Sequence, residues 1–190
     1  MKHSFTLIPF TANTTPEIEI TGAIARRNNR LEITYRLRGT SQIIIPEAID
    51  RPTRQYDLWE HTCFEFFLRL ENSNKYWEFN LSPAGHWNVF RFPDYRQDIA
   101  EEMAFASLPF QVSQQANLLQ LDLEVNLNKI IAGDRNLEVA ITTVVEDKEQ
   151  QLSYWALIHP GTEADFHHQD SFAIDLKSDG EKTKNSIDSL

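Results

Sequence analysis

Cysteine and long apolar runs are what this sequence lacks most clearly. Cys63 is the only cysteine among 190 residues, so no disulfide can form within the chain. No apolar run approaches the ~20 residues that a helix needs to cross a bilayer. Residues 1–10 contain neither the basic segment nor the apolar segment typical of a secretion signal. These absences predict a cytoplasmic protein that does not enter a membrane.

The sequence also lacks an excess of positive charge. Asp and Glu number 28 against 18 Lys and Arg, which gives a formal net charge of −10 at pH 7. Phosphate backbones and anionic membrane surfaces attract clustered Lys and Arg, so neither nucleic acid nor a membrane is expected as a partner. Aromatic residues make up 11% of the chain, more than a disordered chain would carry, so the chain is expected to fold. The oligomeric state is left open.

Alternation of apolar and polar residues is present along most of the chain and predicts β-strands. It is clearest over residues 119–125 and is also present over residues 31–37, 64–70 and 75–82, whereas residues 137–145 are nearly apolar throughout and also predict a strand. Almost no stretch shows helical periodicity, which excludes an α/β fold. The pattern predicts an all-β protein, an antiparallel β-sandwich of jelly-roll or immunoglobulin-like type with about ten strands. Residues 1–177 are predicted to form a single domain, and residues 178–190 a disordered polar tail.

Residues 57–95 contain three of the four tryptophans and two successive turn signals. They predict three consecutive antiparallel strands, joined by turns at 71–74 and 82–85. Pro93 ends the third strand because proline cannot donate to a ladder of hydrogen bonds. We expect residues 57–92 to form adjacent strands of one sheet.

Side chains of one parity on these strands would share one face of the sheet. The predicted set comprises Trp59, His61 and Glu65 from the first strand, Glu78 and Asn80 from the second, and His86, Asn88 or Arg91 from the third. Carboxylates, an amide and His or Arg suit a polyol or a sugar, because hydroxyl groups need both donors and acceptors and a flat ring stacks on Trp. The alternative is a solvated face with outward charges. The sequence therefore predicts a non-catalytic binding module for a carbohydrate or a similar polyhydroxylated molecule.

Two other functions stay open at this point. Glu65 and Glu78 could be the acid and the base of a glycoside hydrolase, since that chemistry needs paired carboxylates. A face filled by side chains would instead indicate a protein-interaction domain without a small ligand. Cys63 would need a base such as His61 to act as a nucleophile, and a free cysteine is more often a small buried hydrophobe. Whether the protein is an enzyme is left open, with binding preferred.

A late loop is rich in potential metal ligands: His159, Asp165, His167, His168 and Asp170. Their spacing matches no established metal signature. Adjacent histidines in an extended chain also point in divergent directions. No metal site is predicted, and hydrogen bonding within the loop is the expected role.

Three segments of the chain carry a resemblance to a known family. They are LWEHTCFEFFLRL, YWEFNLSPAGHWNVFRF, and YWALIHPG followed by DFHHQDSF. In these segments the chain resembles the DOMON-like proteins of bacteria, which are related to family-nine carbohydrate-binding modules. The similarity spans residues 56–176. It implies a β-sandwich whose members bind sugars or haem.

The resemblance also implies roles for particular residues. In the sugar-binding relatives a Trp before the central strand stacks on the sugar and a Glu within that strand binds its hydroxyls, and Trp59 and Glu65 match that pair. A second Trp late in the chain completes the clamp, a position for which Trp155 is the candidate. Haem-binding members use Met and His as axial ligands, but Met103 lies outside the matching segments. No cofactor is therefore expected.

Overall fold

Thirteen strands make up almost all the regular structure of this chain in the computed structural model, which describes residues 1–11 and 17–178. The strands are β1 Lys2–Thr6, β2 Ile8–Pro9, β3 Glu19–Arg27, β4 Arg30–Arg38, β5 Cys63–Leu70, β6 Tyr76–Leu81, β7 Trp87–Phe92, β8 Ala100–Glu101, β9 Phe110–Gln115, β10 Leu118–Asn126, β11 Leu137–Glu146, β12 Leu152–Ala156 and β13 Ile174–Leu176. Short 3-10 turns occur at Thr40–Gln42, Leu58–Glu60, Leu127–Lys129 and Gln169–Ser171.

The strands form two antiparallel sheets. The smaller has five strands in the order β1-β3-β4-β10-β9. The larger has eight, in the order β2-β12-β11-β5-β6-β7-β8, with β13 pairing with the end of β11. The all-β antiparallel sandwich predicted from the sequence is confirmed. The strand number exceeds ten because β2, β8 and β13 contain only two or three residues each.

The main core lies between the two sheets. Along β4 and β10 every second residue enters it, as the alternation predicted, while the other residues face outward. On the larger sheet the core-facing residues include Phe66 and Phe79, whose rings stack at 4.4 Å. The hydroxyl of Tyr35 on β4 donates to the backbone carbonyl of Glu65 on β5 at 2.6 Å. This bond ties the two sheets together directly beneath one of the predicted site residues.

The three central strands are adjacent, as predicted. In their register Glu65 lies opposite Asn80, and Phe67 lies opposite Glu78. Nearly every residue of β5 and β6 is buried, on both faces. A sheet buried on both sides must be covered on the face away from the core. That covering distinguishes this sheet from the half-exposed one opposite.

The predicted tail begins at Ser178, which is buried and whose backbone N–H donates to Oδ1 of Asn136 at 2.8 Å. The remainder of the predicted disordered segment, residues 179–190, lies outside the described residues.

Candidate functional site

A second apolar layer covers the outer face of the larger sheet. It comprises Phe67, Tyr76, Phe90, Phe92, Ala140 and Phe172, with Trp59 and Phe166 packed against them. Two loops lie over this layer, residues 93–99 after β7 and residues 157–173 after β12. Between the loops and the sheet is a cavity of about 560 Å³.

The floor of this cavity comes from three neighbouring strands. β11 contributes Val144, β5 contributes Glu65 and β6 contributes Glu78. Glu65 and Glu78 retain only 2% and 6% of their surface exposure. Buried carboxyl groups are rare unless they are paired, so two in one cavity floor need a physical account.

Glu65 is only partly satisfied by the protein. Its Oε2 accepts a hydrogen bond from the hydroxyl of Thr142 at 3.1 Å. Its Oε1 accepts none from any described residue, and no described side-chain N or O atom is both fully buried and without a partner, so Oε1 is open to the cavity. Burial raises the pKa of Glu65 well above its usual range, the neighbouring charge of Glu78 raises it further, and the Thr142 bond opposes both.

Glu78 has a similar arrangement. Its Oε1 accepts a hydrogen bond from Nδ2 of Asn80 at 2.8 Å. Its Oε2 lies 3.8 Å from Nε2 of His167, which is too far for a hydrogen bond. Burial raises the pKa of Glu78 to about 7, against the opposing effects of the Asn80 bond and the charge of Arg96. Both carboxyl groups therefore favour the protonated form more than an exposed glutamate does.

His167, in the loop of residues 157–173, lies above this floor. Its Nδ1 lies 2.9 Å from the hydroxyl of Tyr76, and that hydroxyl also accepts from the backbone N–H of Arg96 at 3.1 Å. The Tyr76 oxygen already accepts one hydrogen bond, so we assign its own proton to a bond with Nδ1 of His167. The proton of the neutral imidazole ring is then on Nε2. Burial lowers the pKa of His167 to about 4, helped by the charge of Arg96 and opposed by Asp165. His167 is thus a neutral hydrogen-bond donor toward the cavity.

An ion pair joins the two covering loops. Arg96 donates through Nη2 to Oδ1 of Asp165 at 2.9 Å, and the hydroxyl of Tyr95 donates to Oδ2 of the same carboxylate at 2.6 Å. Asp165 Oδ1 also accepts from the backbone N–H of His167 at 3.1 Å. The hydrogen bonds lower the pKa of Asp165 despite its partial burial. This network holds His167 in place above Glu78.

Aromatic residues stand on opposite sides of the floor. Trp59, in the Leu58–Glu60 turn, packs edge-on against Phe90 of β7 with ring centroids 5.9 Å apart. Tyr154, on β12, packs edge-on against Phe166 at 6.0 Å. Because β11, β5 and β6 lie between β12 and β7, Trp59 and Tyr154 flank Glu65 and Glu78. A ring-shaped ligand would meet an aromatic surface from either side.

Three of the residues predicted from the sequence line this cavity, namely Trp59, Glu65 and Glu78. Asn80 lies beneath it, fully buried and bonded to Glu78. His61 precedes β5 instead of lying on it. Its side chain is 64% exposed and its Nδ1 lies 2.8 Å from Oε2 of Glu146, outside the cavity.

Two other predicted residues belong to the opposite face of the sheet. Arg91 lies opposite Trp77 in the β6–β7 register, so it has the parity of the core face and is exposed at the strand end. Trp155 lies opposite Thr143 and is buried in the main core. The aromatic residue of β12 that lines the cavity is its neighbour Tyr154.

The remaining candidates have structural partners. Nδ1 of His86 contacts Thr53 at 3.2 Å, and buried Asn88 accepts from Arg54 at 2.7 Å. Cys63 is fully buried, and burial raises the pKa of its thiol well above the usual range, with a further contribution from Glu65. His61 contacts Glu146 and not this thiol, so the structure does not form a Cys–His pair here.

Sequence reasoning missed Arg96, Tyr154, Phe166 and His167 as cavity residues. Both covering loops lack periodicity, so their side chains have no predicted face. The segment DFHHQDSF is rich in polar groups, but only the structure shows that the side chain of His167 lines the cavity. His168 instead accepts at Nδ1 from the backbone N–H of Asp170, and His159 contacts the carbonyl of Ile8.

Among residues 1–11 and 17–178, no group of three or more His, Cys, Asp or Glu side chains is placed to hold a metal ion. Within the same residues, no helix has the length and apolar character that a membrane span requires.

Solved structures of carbohydrate-binding proteins are among those similar to this chain in fold. The first is a putative carbohydrate-binding protein from Bacteroides uniformis, with a TM-score of 0.71 and 13% identity, covering 93% of this chain and 86% of that one. A family-nine carbohydrate-binding module from Caldicellulosiruptor kristjanssonii bound to glucose has a TM-score of 0.53 and 9% identity, covering 87% of this chain and 79% of that one. The same module bound to cellotriose has a TM-score of 0.52 and 8% identity, covering 87% of this chain and 77% of that one.

At these identities the likeness concerns the fold. It confirms the predicted resemblance to family-nine modules at that level, whereas the DOMON-like assignment stays a prediction. No protein-family model matches the sequence, and no curated protein matches it.

Proposed function

We propose that this protein binds a carbohydrate or a similar polyhydroxylated small molecule in the cavity above Glu65 and Glu78. The observation that carries the proposal is the pair of buried carboxyl groups, each with one oxygen bonded to the protein and one directed to the cavity. These open oxygens belong to almost fully buried side chains and have little access to bulk water, so ligand hydroxyl groups that enter the cavity would bind them.

The polar atoms around the cavity suit hydroxyl groups in particular. A hydroxyl group both donates and accepts, and His167 Nε2 and Glu78 Oε2, 3.8 Å apart, are close enough for one ligand oxygen beside them to form a hydrogen bond with each. It would accept from the imidazole N–H and donate to the carboxyl oxygen. Oε1 of Glu65 would bind a second hydroxyl on the same ligand.

The cavity walls supply the apolar half of the recognition. Sugar rings carry C–H faces that pack on aromatic side chains, and Trp59, Tyr154 and Phe166 provide such surfaces. A volume of about 560 Å³ lies within the range of small-molecule sites. An open cavity of this kind favours a small ligand over the alternative of a protein-interaction domain, whose face would be filled by side chains.

The carbohydrate-binding descriptions of the structural neighbours support the same class of ligand. The test is a glycan array followed by titration calorimetry with the best ligand and with its deoxy analogues. Binding that is lost in a Glu65→Gln, Glu78→Gln double variant that keeps its fold supports the proposal. An absence of binding to any glycan or polyol would contradict it.

A glycoside hydrolase is the second candidate. Glu65 and Glu78 are diagonal neighbours on paired strands and reach one cavity, and a glutamate whose pKa is about 7 suits a general acid. A hydrolysis screen on chromogenic glycosides distinguishes the two. The wild type would then hydrolyse a glycoside, and Glu78→Gln would bind it with unchanged affinity but not hydrolyse it. That result would make catalysis, and not binding alone, the function of this cavity.

A further inference from the structure

The cavity has more acidic groups than basic partners for them. Neither Glu65 nor Glu78 forms an ion pair with a Lys or Arg side chain of the described residues. Arg96 is the one Lys or Arg among the described lining residues, and its Nη2 is bonded to Asp165. The guanidinium of Arg96 is therefore paired with Asp165, and its charge acts on Glu78 only from a distance, without an ion pair.

His167 does not supply the missing positive charge. Its Nδ1 is occupied by Tyr76, and its surroundings disfavour the imidazolium, since burial and the charge of Arg96 together lower its pKa to about 4. At neutral pH it offers an N–H and no charge. Neither carboxyl group of the floor thus has an ion-pair partner among the described residues, although Arg96 lies at the cavity wall.

The aromatic walls add a second, independent feature of cation sites. The faces of Trp, Tyr and Phe rings attract ammonium groups, and the attraction grows when water is excluded. Trp59, Tyr154, Phe166 and Phe92 all line this cavity. In a site with rings around buried carboxyl groups, both the rings and the carboxylates compensate the charge of a desolvated amine.

We infer that the ligand of this cavity carries a protonated amine beside its hydroxyl groups, as an amino sugar does, with the ammonium held by Glu65 and Glu78 within the aromatic walls. This inference rests on the proposed function and narrows it. The amine gives the two carboxyl groups the ion-pair partner that they lack in the empty protein, while a hydroxyl group of the ligand accepts from Nε2 of His167.

Binding of an amine would be linked to proton release. In the empty cavity burial favours the protonated form of both carboxyl groups, and the charge of Glu78 adds to this effect at Glu65, whereas an ammonium favours the carboxylates. Protonated amine binding should therefore release up to one proton from each carboxyl group, and a neutral sugar should release none. The other titratable or charged groups around these carboxyls are Tyr35 beneath β5, Cys63 on β5, Tyr76 on β6, Glu60 in the turn, and Arg96, Asp165 and His167 in the loops.

The experiment is titration calorimetry of the full chain with glucosamine, galactosamine and mannosamine, each beside its parent sugar and its N-acetyl derivative. It is run at a pH that keeps the amines protonated, in two buffers of different ionisation enthalpy. The wild type is compared with Glu65→Gln, Glu78→Gln and Glu146→Gln. Glu146 is the matched control, a buried glutamate on β11 that contacts His61 and does not line the cavity.

We expect at least one amine to bind about tenfold or more tighter than both neutral counterparts, as a hydrogen bond to a charged partner gains over a neutral one. The preference should be accompanied by proton release, persist in Glu146→Gln and disappear in Glu65→Gln or Glu78→Gln. Equal or tighter binding of the neutral sugars would overturn the inference and leave the proposed function standing. Binding of none of these sugars would also overturn the inference, and the proposed function would fall with it only if the glycan array likewise shows no ligand.

Discussion

Nε2 of His167 and Oε2 of Glu78 face each other across 3.8 Å, with a donor on one side and a carboxyl oxygen on the other. The separation exceeds hydrogen-bond reach but suits one shared ligand oxygen. Tyr76 fixes the donor by occupying Nδ1, and Asn80 fixes the carboxyl group by donating to Oε1. Each partner is therefore oriented by a side chain of β6 before any ligand arrives.

His167→Leu is expected to weaken ligand binding by about 1 to 1.5 kcal/mol, the usual contribution of one neutral hydrogen bond. Tyr76→Phe should weaken it less, because it removes the group that sets the tautomer and leaves the ring itself. Titration calorimetry on folded protein measures both. His168→Leu is the control, since this adjacent histidine does not line the cavity. Equal losses in the His167 and His168 variants would show that His167 does not touch the ligand.

Trp59→Ala is expected to weaken every ligand of the cavity by roughly 1 to 3 kcal/mol, because ring stacking depends on area and little on the pattern of hydroxyl groups. Tyr56→Ala is a matched control. Tyr56 also contacts Phe90, at 5.4 Å, but it does not line the cavity. If Trp59 only packs against Phe90, both variants will lose stability and neither will lose affinity once folding is corrected for.

Glu78→Gln is expected to change how stability depends on pH. The folded-state pKa of about 7 lies above the unfolded value of about 4.3, so the folded wild type binds the proton more tightly. Its contribution is complete below the unfolded pKa and is lost as pH rises through about 7. The stability of Glu78→Gln relative to wild type should therefore increase across this window, by roughly 4 kcal/mol at most. Denaturant titrations at several pH values measure it, and a difference that is constant with pH would refute the assigned shift.

His167→Gln should show the opposite dependence. The folded-state pKa of about 4 lies below the unfolded value of about 6.5, so the wild-type contribution is complete above the latter and is lost as pH falls through about 4. Relative to wild type, the variant should gain stability as the solution is acidified over this range. Thermal melts between these pH values provide the measurement. A variant that instead loses stability on acidification would indicate a charged histidine in the fold.

The sheet framework and the cavity floor could be predicted from sequence because alternation and turn residues determine strand parity. Once 63–70 and 75–82 are paired across a short turn, Glu65 and Glu78 must share a face. The same reasoning misplaced His61 because the strand begins only at Cys63. Side chains alternate between the two faces of a sheet only within a strand, so the alternation does not predict the direction of a residue before it.

The second aromatic wall shows where parity becomes ambiguous. In β12 the adjacent aromatics Tyr154 and Trp155 point to opposite faces, and both faces of this sheet are covered, so hydrophobicity does not tell which one enters the core. The register with β11 decides it. His167 and Arg96 could not be placed at all, because loop conformation here depends on a contact with Asp165 between segments about 70 residues apart.

The central claim is that Glu65 selects a hydroxylated ligand from the cavity floor. Its most direct test is titration calorimetry of wild type, Trp59→Ala and Glu65→Gln with the best array ligand and its deoxy analogue. We predict that Glu65→Gln costs about 0.5 to 1.5 kcal/mol for the matched ligand, the contribution of one hydrogen bond to a carboxyl group whose protonated form is favoured by burial. The cost should be much smaller for the deoxy analogue, which lacks the hydroxyl group that Glu65 binds. Unchanged affinity for both ligands in both folded variants would contradict the site.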